Sequence, residues 1–180
     1  MFIACTSVVI LALALSFLWV MSVPLRNFKY PQPIPASWHH VAVAQNFLGE
    51  LPPPVTVCEV GSGVFGRFRK LAESPEVEYT GIELQRILYG LSCVMGILLP
   101  YRNRVHFQQG DATKCDLGRF NLYIFFLGKD LNEILAKRLL EQNIPCHIIT
   151  PIFQLPPHER IHLVKRENHW TGPTYIYQLT

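Results

Sequence analysis

Three short stretches of this 180-residue chain carry residue types able to grip a nucleotide-like ligand. The first is Glu59-Val-Gly61-Ser62-Gly63-Val-Phe-Gly66. Glycines at a strand-to-helix turn let the backbone approach a ligand closely, and the N–H groups that open a helix favour a nearby anion. The second is Gly81-Ile-Glu83-Leu, with Glu83 lying 20 residues beyond Gly63. At that interval an acidic side chain can accept from both hydroxyls of a ribose. The third is Val105-His-Phe-Gln-Gln-Gly110-Asp111-Ala112. There Asp111 can accept from an adenine amino group, with Ala112 as an apolar neighbour against the ring.

Such residues need strands that end where they stand. Val55–Val60 reads as a buried strand, Phe65–Ala72 as a helix, and Glu78–Leu84 as a second strand. Gln85–Leu99 follows as a longer helix stopped by Pro100, and Arg104–Gln108 as a third strand. Asn121–Leu127 is a fourth, Asp130–Gln142 a helix with Leu or Ile at 131, 134, 135, 139 and 140, and Pro145–Thr150 a fifth. Alternation of this kind predicts a parallel sheet with helices on both faces. Arg160–Arg166 and Thr174–Leu179 each alternate apolar and polar residues about the turn-rich Glu167-Asn-His-Trp-Thr-Gly-Pro, which predicts a closing antiparallel hairpin. Ahead of the sheet, Ser37 caps a short helix through Gly49, and Leu51-Pro-Pro-Pro stops it. The expected fold class is α/β: a Rossmann-like, doubly wound, mostly parallel seven-strand sheet.

The serial order E-x-G-x-G, G-I-E-L, V-x-F-x-x-G-D-A, spread over about residues 36–180, is similar to that of the class I S-adenosylmethionine-dependent methyltransferases. NAD and FAD proteins share the glycine spacing. However, NAD enzymes usually open it with an apolar residue where this chain has Glu59, and rarely carry G-D-A at the third strand. The resemblance implies S-adenosyl-L-methionine as cofactor. It sets Glu59, Gly61, Ser62 and Gly63 around the methionine moiety, Glu83 on the ribose, and Asp111 and Ala112 at the adenine.

Further along, Asn121-Leu-Tyr-Ile-Phe-Phe-Leu, a helix, His147-Ile-Ile-Thr-Pro-Ile-Phe-Gln-Leu-Pro156 and Tyr175-Ile-Tyr177 follow in a recognisable order. That order resembles the membrane-anchored protein-lysine methyltransferases that modify the ATP synthase c-subunit and the adenine nucleotide translocase, with their small prokaryotic relatives. The chain departs from their pattern at Val64-Phe65, Asn121 and Gly128. A sulfonium methyl is already a good electrophile, so the reaction asks for alignment, desolvation and an uncharged nucleophile. Phe125, Phe126, Thr150 and Phe153 stand where an acceptor pocket would open, although core packing accounts for each singly. Two alternatives stay open: methylation of a small hydrophobic metabolite, and a cofactor-binding module without catalysis.

Composition adds a location. The chain is 49% hydrophobic and only 16% charged, yet Phe2–Leu25 holds no charged residue at all. Phe2 to Val23 has 18 apolar residues among 22, long enough as a helix to cross a bilayer core of about 30 Å. Trp19 suits an interface, and Arg26 and Lys29 follow with no basic residue before the run. The expected organisation is a single-pass transmembrane helix at 1–25, a proline-rich linker and pre-core helix at 26–54, and a cytoplasm-facing domain at 55–180. The acceptor would be a protein, a membrane protein among the candidates, or a small molecule. A net charge of +3 gives no reason to expect nucleic acid.

Other signals carry less. His158-Glu-Arg-Ile-His162 matches a zinc-protease motif that needs a helix, but prolines precede it and a strand pattern follows. His39-His40 reads as partly exposed surface, and the five cysteines as apolar thiols with no C-x-x-C pair.

Overall fold

The structure is a computed structural model that describes residues 37–64 and 66–180. The expected anchor at 1–25, the linker up to residue 36, and Phe65 lie outside the described residues. Within them no helix is long and apolar enough to cross a membrane.

Helix α1 (Trp38–Leu48) precedes strand β1 (Val55–Val60), and Ser37 caps it by accepting from the His40 amide. A 3-10 helix (Arg67–Glu73) leads into β2 (Val77–Glu83), helix α2 (Arg86–Ile97) and β3 (Val105–Gln109). Then come β4 (Leu122–Phe125), helix α3 (Lys129–Glu141), β5 (Cys146–Pro151), β6 (Ile161–Glu167) and β7 (Thr174–Leu179). The sheet has seven strands in the order β3-β2-β1-β4-β5-β7-β6. The first five are parallel, and β7 runs antiparallel to both β5 and β6. The expected α/β sheet and its closing antiparallel pair are therefore present.

Strand order reverses at β1, so connections leave it toward opposite faces and a crevice opens at its carboxyl end. One face packs α1 and the 3-10 helix, through Val41, Ala44, Phe47, Phe68 and Leu71, onto Val55, Val57 and Tyr79. The other packs Leu135, Ala136 and Leu139 of α3 onto Cys58, Val60, Tyr123 and Phe125. Burial on both sides explains why β1 and β4 read as continuous apolar runs.

Three expectations need correction. The helix expected at 65–72 is 3-10 and spans Arg67–Glu73. Gly66 offers it no side-chain cap and Pro75 follows its end, so the segment is too short to repay α-helix nucleation. Phe68 and Leu71, three residues apart, suit the tighter winding. His40 is 1% exposed rather than surface-lying, because α1 turns it onto β7. The fourth strand is shorter than 121–127, since Asn121 spends its side chain elsewhere. Its Oδ1 accepts from the Thr56 amide at 2.8 Å and the Thr56 hydroxyl at 2.9 Å, clasping β1 to β4 at their amino-terminal ends. That departure from the family pattern is thus remote from the carboxyl rim.

His158 sits in an isolated bridge before β6 and His162 lies within β6, so no helical turn aligns them. Among the described residues no group of three or more His, Cys, Asp or Glu could hold a metal ion. Cys58 and Cys146 are buried, Cys93 and Cys115 half-buried, and all four are free.

Candidate functional site

The site is built from the carboxyl ends of β1, β2 and β3. Parallel register sets Glu59 beside Gly81 and Glu83 beside Gln109, so the three motifs meet on one rim. Beyond β1 the chain turns sharply: Gly61 has φ +76° and Gly63 φ +61°, left-handed values that favour glycine. The amides of Gly61 and Ser62 both donate to Ile82 O, at 2.8 and 3.1 Å.

Glu83 ties the rim together. Its Oε2 accepts from the Gly63 amide at 2.7 Å and its Oε1 from the Gln85 amide at 2.9 Å. Its backbone carbonyl accepts from the Gly110 amide at 3.0 Å, which seats the third motif beside the first. Each carboxylate oxygen has two lone-pair sites, so this buried side chain keeps capacity for two further donors.

Asp111 folds the next turn: Oδ1 accepts from the Thr113 amide at 2.9 Å and its hydroxyl at 2.7 Å. Those bonds, foremost the hydroxyl, hold its carboxyl below the usual range against the opposing effect of partial burial, and Lys114 pairs with Oδ2 at 3.5 Å. Ala112 packs on the second core cluster, and its carbonyl accepts from the Arg138 guanidinium.

Glu59 lies beneath the loop, 5% exposed. The Tyr79 hydroxyl donates to its Oε2. Burial pushes the carboxyl up to about 8, while Tyr79 and Arg69 pull it down and Glu83 adds to the rise. Glu59 therefore holds its proton to higher pH than an ordinary carboxyl does. Burial also raises the Tyr79 phenol well above its ordinary value.

Two features of the loop bear on what it could hold. A Cβ built on Gly63 would meet nothing within 4 Å, so the side of the loop facing away from the fold is open. Ser62 is buried and its hydroxyl has no partner, leaving a polar atom at the same turn unsatisfied.

The sequence pointed to the rim but not to its supports. Tyr79 escaped notice, although it stands two residues before Gly81 on the face that Glu59 shares. Ser92 escaped as well: its hydroxyl donates to Gly63 O at 2.8 Å, bracing the loop from α2. A small polar residue among large apolar ones was the available signal.

At the ends of β4 and β5, Phe125 and Thr150 are fully buried, and Phe126 and Phe153 are half-buried. The Thr150 hydroxyl has no partner. His40 reaches this end from α1, with Nδ1 2.7 Å from Thr174 Oγ1 and its ring 5.9 Å from Phe126. Burial, then His39 and His169, lower its pKa to about 4, so it is neutral near pH 7. His39 and His169 stack with centroids 3.9 Å apart. A separate depression of about 790 Å³ lies between α3 and residues 156–161, but the glycine-motif residues do not line it.

No family model matches the chain, and no curated protein matches it either. Solved structures do. An RNA methyltransferase from Salinibacter ruber, in complex with S-adenosyl-L-homocysteine, aligns with a TM-score of 0.70 at 19% identity, covering 81% of this chain and 94% of that one. Magnesium protoporphyrin IX methyltransferase from Synechocystis PCC 6803 with bound SAM aligns at 0.59 and 15% identity, covering 79% and 80%. A TehB-like SAM-dependent methyltransferase from Corynebacterium glutamicum aligns at 0.52 and 13% identity, covering 79% and 94%. At such identities the likeness speaks for architecture, and in architecture this chain has the seven-strand Rossmann-like fold of those SAM-dependent methyltransferases.

Proposed function

We propose that this protein is an S-adenosyl-L-methionine-dependent methyltransferase, held at a membrane and acting on a protein lysine. The observation that carries the reading is the convergence on Glu83, whose carboxylate and carbonyl join the Gly63 loop to the Gly110–Asp111 turn. In this reading Glu59, Gly61, Ser62 and Gly63 surround the methionine moiety, Glu83 takes the ribose hydroxyls, and Asp111 and Ala112 meet the adenine. When bound, the cofactor supplies a methyl group on an electrophilic sulfonium.

The chain's own residues orient and desolvate. Glu83 and Ser92 hold the Gly63 peptide from two sides, through its amide and its carbonyl, and leave the Cα side of Gly63 open. Phe126, neutral His40 and buried Thr150 keep the neighbouring rim desolvated and uncharged, which favours the neutral form of an amine acceptor. The uncharged run Phe2–Val23 supports a single membrane span with this domain in the cytoplasm. Together with the motif order after β3, it supports a protein lysine over a freely diffusing metabolite.

Isothermal titration of the full chain with S-adenosyl-L-methionine and with NAD tests the core of this reading. Wild type should bind the first and ignore the second, while Glu83→Ala and Asp111→Ala should each weaken binding by about tenfold or more. Unchanged binding in both variants would end it. Transfer of labelled methyl to membranes, followed by mapping of the modified residue, identifies the acceptor.

A further inference from the structure

Helix α2 is inverted relative to an ordinary amphipathic helix. Its buried residues are Ser92 and Gly96, small ones that let it lie close to the sheet. Gly96 approaches so near that an added Cβ would stand 3.0 Å from the Phe107 ring. Several large side chains point outward instead: Ile87 is 62% exposed, Val94 60%, Ile97 65% and Leu98, which caps the helix, 72%, while Leu88, Leu91 and Met95 are half-buried. Residues 87, 94 and 98 recur at helical spacing and form one stripe, which Leu84 extends at the amino-terminal end. Soluble monomers rarely leave such a patch uncovered.

The surroundings of the stripe favour lipid over protein as the cover. From Leu84 to Gly110 there is no Asp or Glu, and exposed Arg86 and Arg102 bracket the stripe. The helix α1 and the 3-10 helix pack on the same face of the sheet. There Trp38, 56% exposed, lies under Arg67 at 5.0 Å and Lys70 at 4.7 Å. Glu73, the acidic group of that 3-10 helix, is engaged by the Tyr101 hydroxyl. Apolar side chains, tryptophan and basic residues on one side of the sheet, which α2 joins through Gly96 against Phe107, are the makeup of an interfacial layer drawn to anionic headgroups. In sequence, the apolar run ends at Val23, and residues 24–36 span at most about 45 Å.

We propose that this surface, the α2 stripe with Trp38, Arg67 and Lys70, rests on the face of an anionic bilayer. The proposal rests on the membrane-held reading above. It goes further in fixing which side of the domain meets the lipid. Gln85, whose amide is bonded to Glu83, opens α2, so the candidate site would lie beside the headgroups.

The test uses the full chain in vesicles of phosphatidylcholine and phosphatidylserine, some carrying brominated acyl chains. Val94→Trp reports the stripe and Glu141→Trp reports α3 on the opposite face. Emission of the wild-type tryptophans is subtracted, and circular dichroism confirms that each variant folds. Wild type should float with the vesicles, and Val94→Trp should lose about half of its added emission to the bromines while Glu141→Trp loses almost none. Adding Arg86→Glu and Arg102→Glu should reduce that quenching in anionic vesicles.

If wild type floats but the two reporters are quenched alike, or Val94→Trp is not quenched, the docking surface is overturned and the membrane-held reading stands. If wild type does not float, both fall. A dimer by sedimentation that Val94→Glu abolishes would assign the stripe to a second copy, and would overturn the proposal as well.

Discussion

The phenol of Tyr79 donates to the carboxyl of Glu59 beneath the glycine loop, and Gly66 lies directly over the pair. A Cβ on Gly66 would stand 2.6 Å from Glu59 Oε2 and would also strike the Tyr79 hydroxyl. The third glycine of the motif is therefore required by close packing over a buried polar pair.

Gly66 and Gly63 should accordingly fail in different ways when changed to alanine. Gly66→Ala overpacks the buried pair and should cost about 1–3 kcal/mol of stability, read as a lower urea midpoint. Gly63→Ala meets open space, so its stability cost is that of a left-handed alanine, about 1–2 kcal/mol. Its added methyl projects into the volume assigned to the ligand, and titration should show affinity for S-adenosyl-L-methionine lowered by more than about tenfold. If Gly63→Ala binds as wild type does, the open side of the loop is not the binding side.

Ser92 should matter to the loop from outside the motif. Ser92→Ala removes the hydroxyl that donates to Gly63 O and leaves that carbonyl without this partner. About 1 kcal/mol of stability should be lost. Hydrogen exchange at the Gly61–Gly63 amides should rise, while exchange in α3 should not. Equal rates in variant and wild type would show that α2 does not brace the loop.

Glu59 should tilt stability against alkali. Its folded pKa, about 8, lies above the ordinary carboxyl value of 4.5, so the folded state binds the proton more tightly. Stability linked to Glu59 is then fully present below about pH 4.5 and is lost as pH rises toward 8. Glu59→Gln keeps the shape and removes the titration, so the decline in urea stability between pH 6.5 and 8, where the His40 slope no longer opposes it, should flatten, on the order of 2 kcal/mol across the window. A parallel decline in the variant would mean that other groups cause it.

The sheet could be read from the sequence because its signals are local. Apolar runs and turn residues at Val55–Val60 and Thr174–Leu179 mark strands whichever neighbours they take, and both spans match. The rim positions could be placed for the same reason, since Glu83 ends β2, Gly61 follows β1 directly and Asp111 follows β3 by two residues. What escaped depends on contacts between distant segments. Nothing near His40 announces Thr174, 134 residues away, and Tyr79 looks like any aromatic strand residue until Glu59 lies opposite. The outward stripe of α2 was hidden by its own composition. An apolar helix reads as buried unless the small residues Ser92 and Gly96 are recognised as the side that packs.

His40 should set the acid limit. It joins α1 to the first residue of β7 through Thr174, and its pKa falls from 6.5 to about 4 because burial disfavours the imidazolium, with His39 and His169 adding repulsion. The lowered value means that the unfolded chain takes up the proton first. Stability linked to His40 is complete above about pH 6.5 and is lost as pH falls toward 4. Between pH 4.5 and 6.5 this slope opposes that of Glu59, as do those of His39 and His147, whose pKa burial also lowers. His40→Gln can still bond Thr174 but does not titrate, so Glu59 meets less opposition in that window. Relative to wild type, the variant should gain stability as pH falls from 6.5 to 4.5, on the order of 2 kcal/mol, whatever its absolute stability at pH 7. Urea midpoints of wild type, His40→Gln and the double variant with Glu59→Gln separate the two slopes. If His40→Gln loses stability toward acid as steeply as wild type does below pH 5, the acid limit belongs to another group.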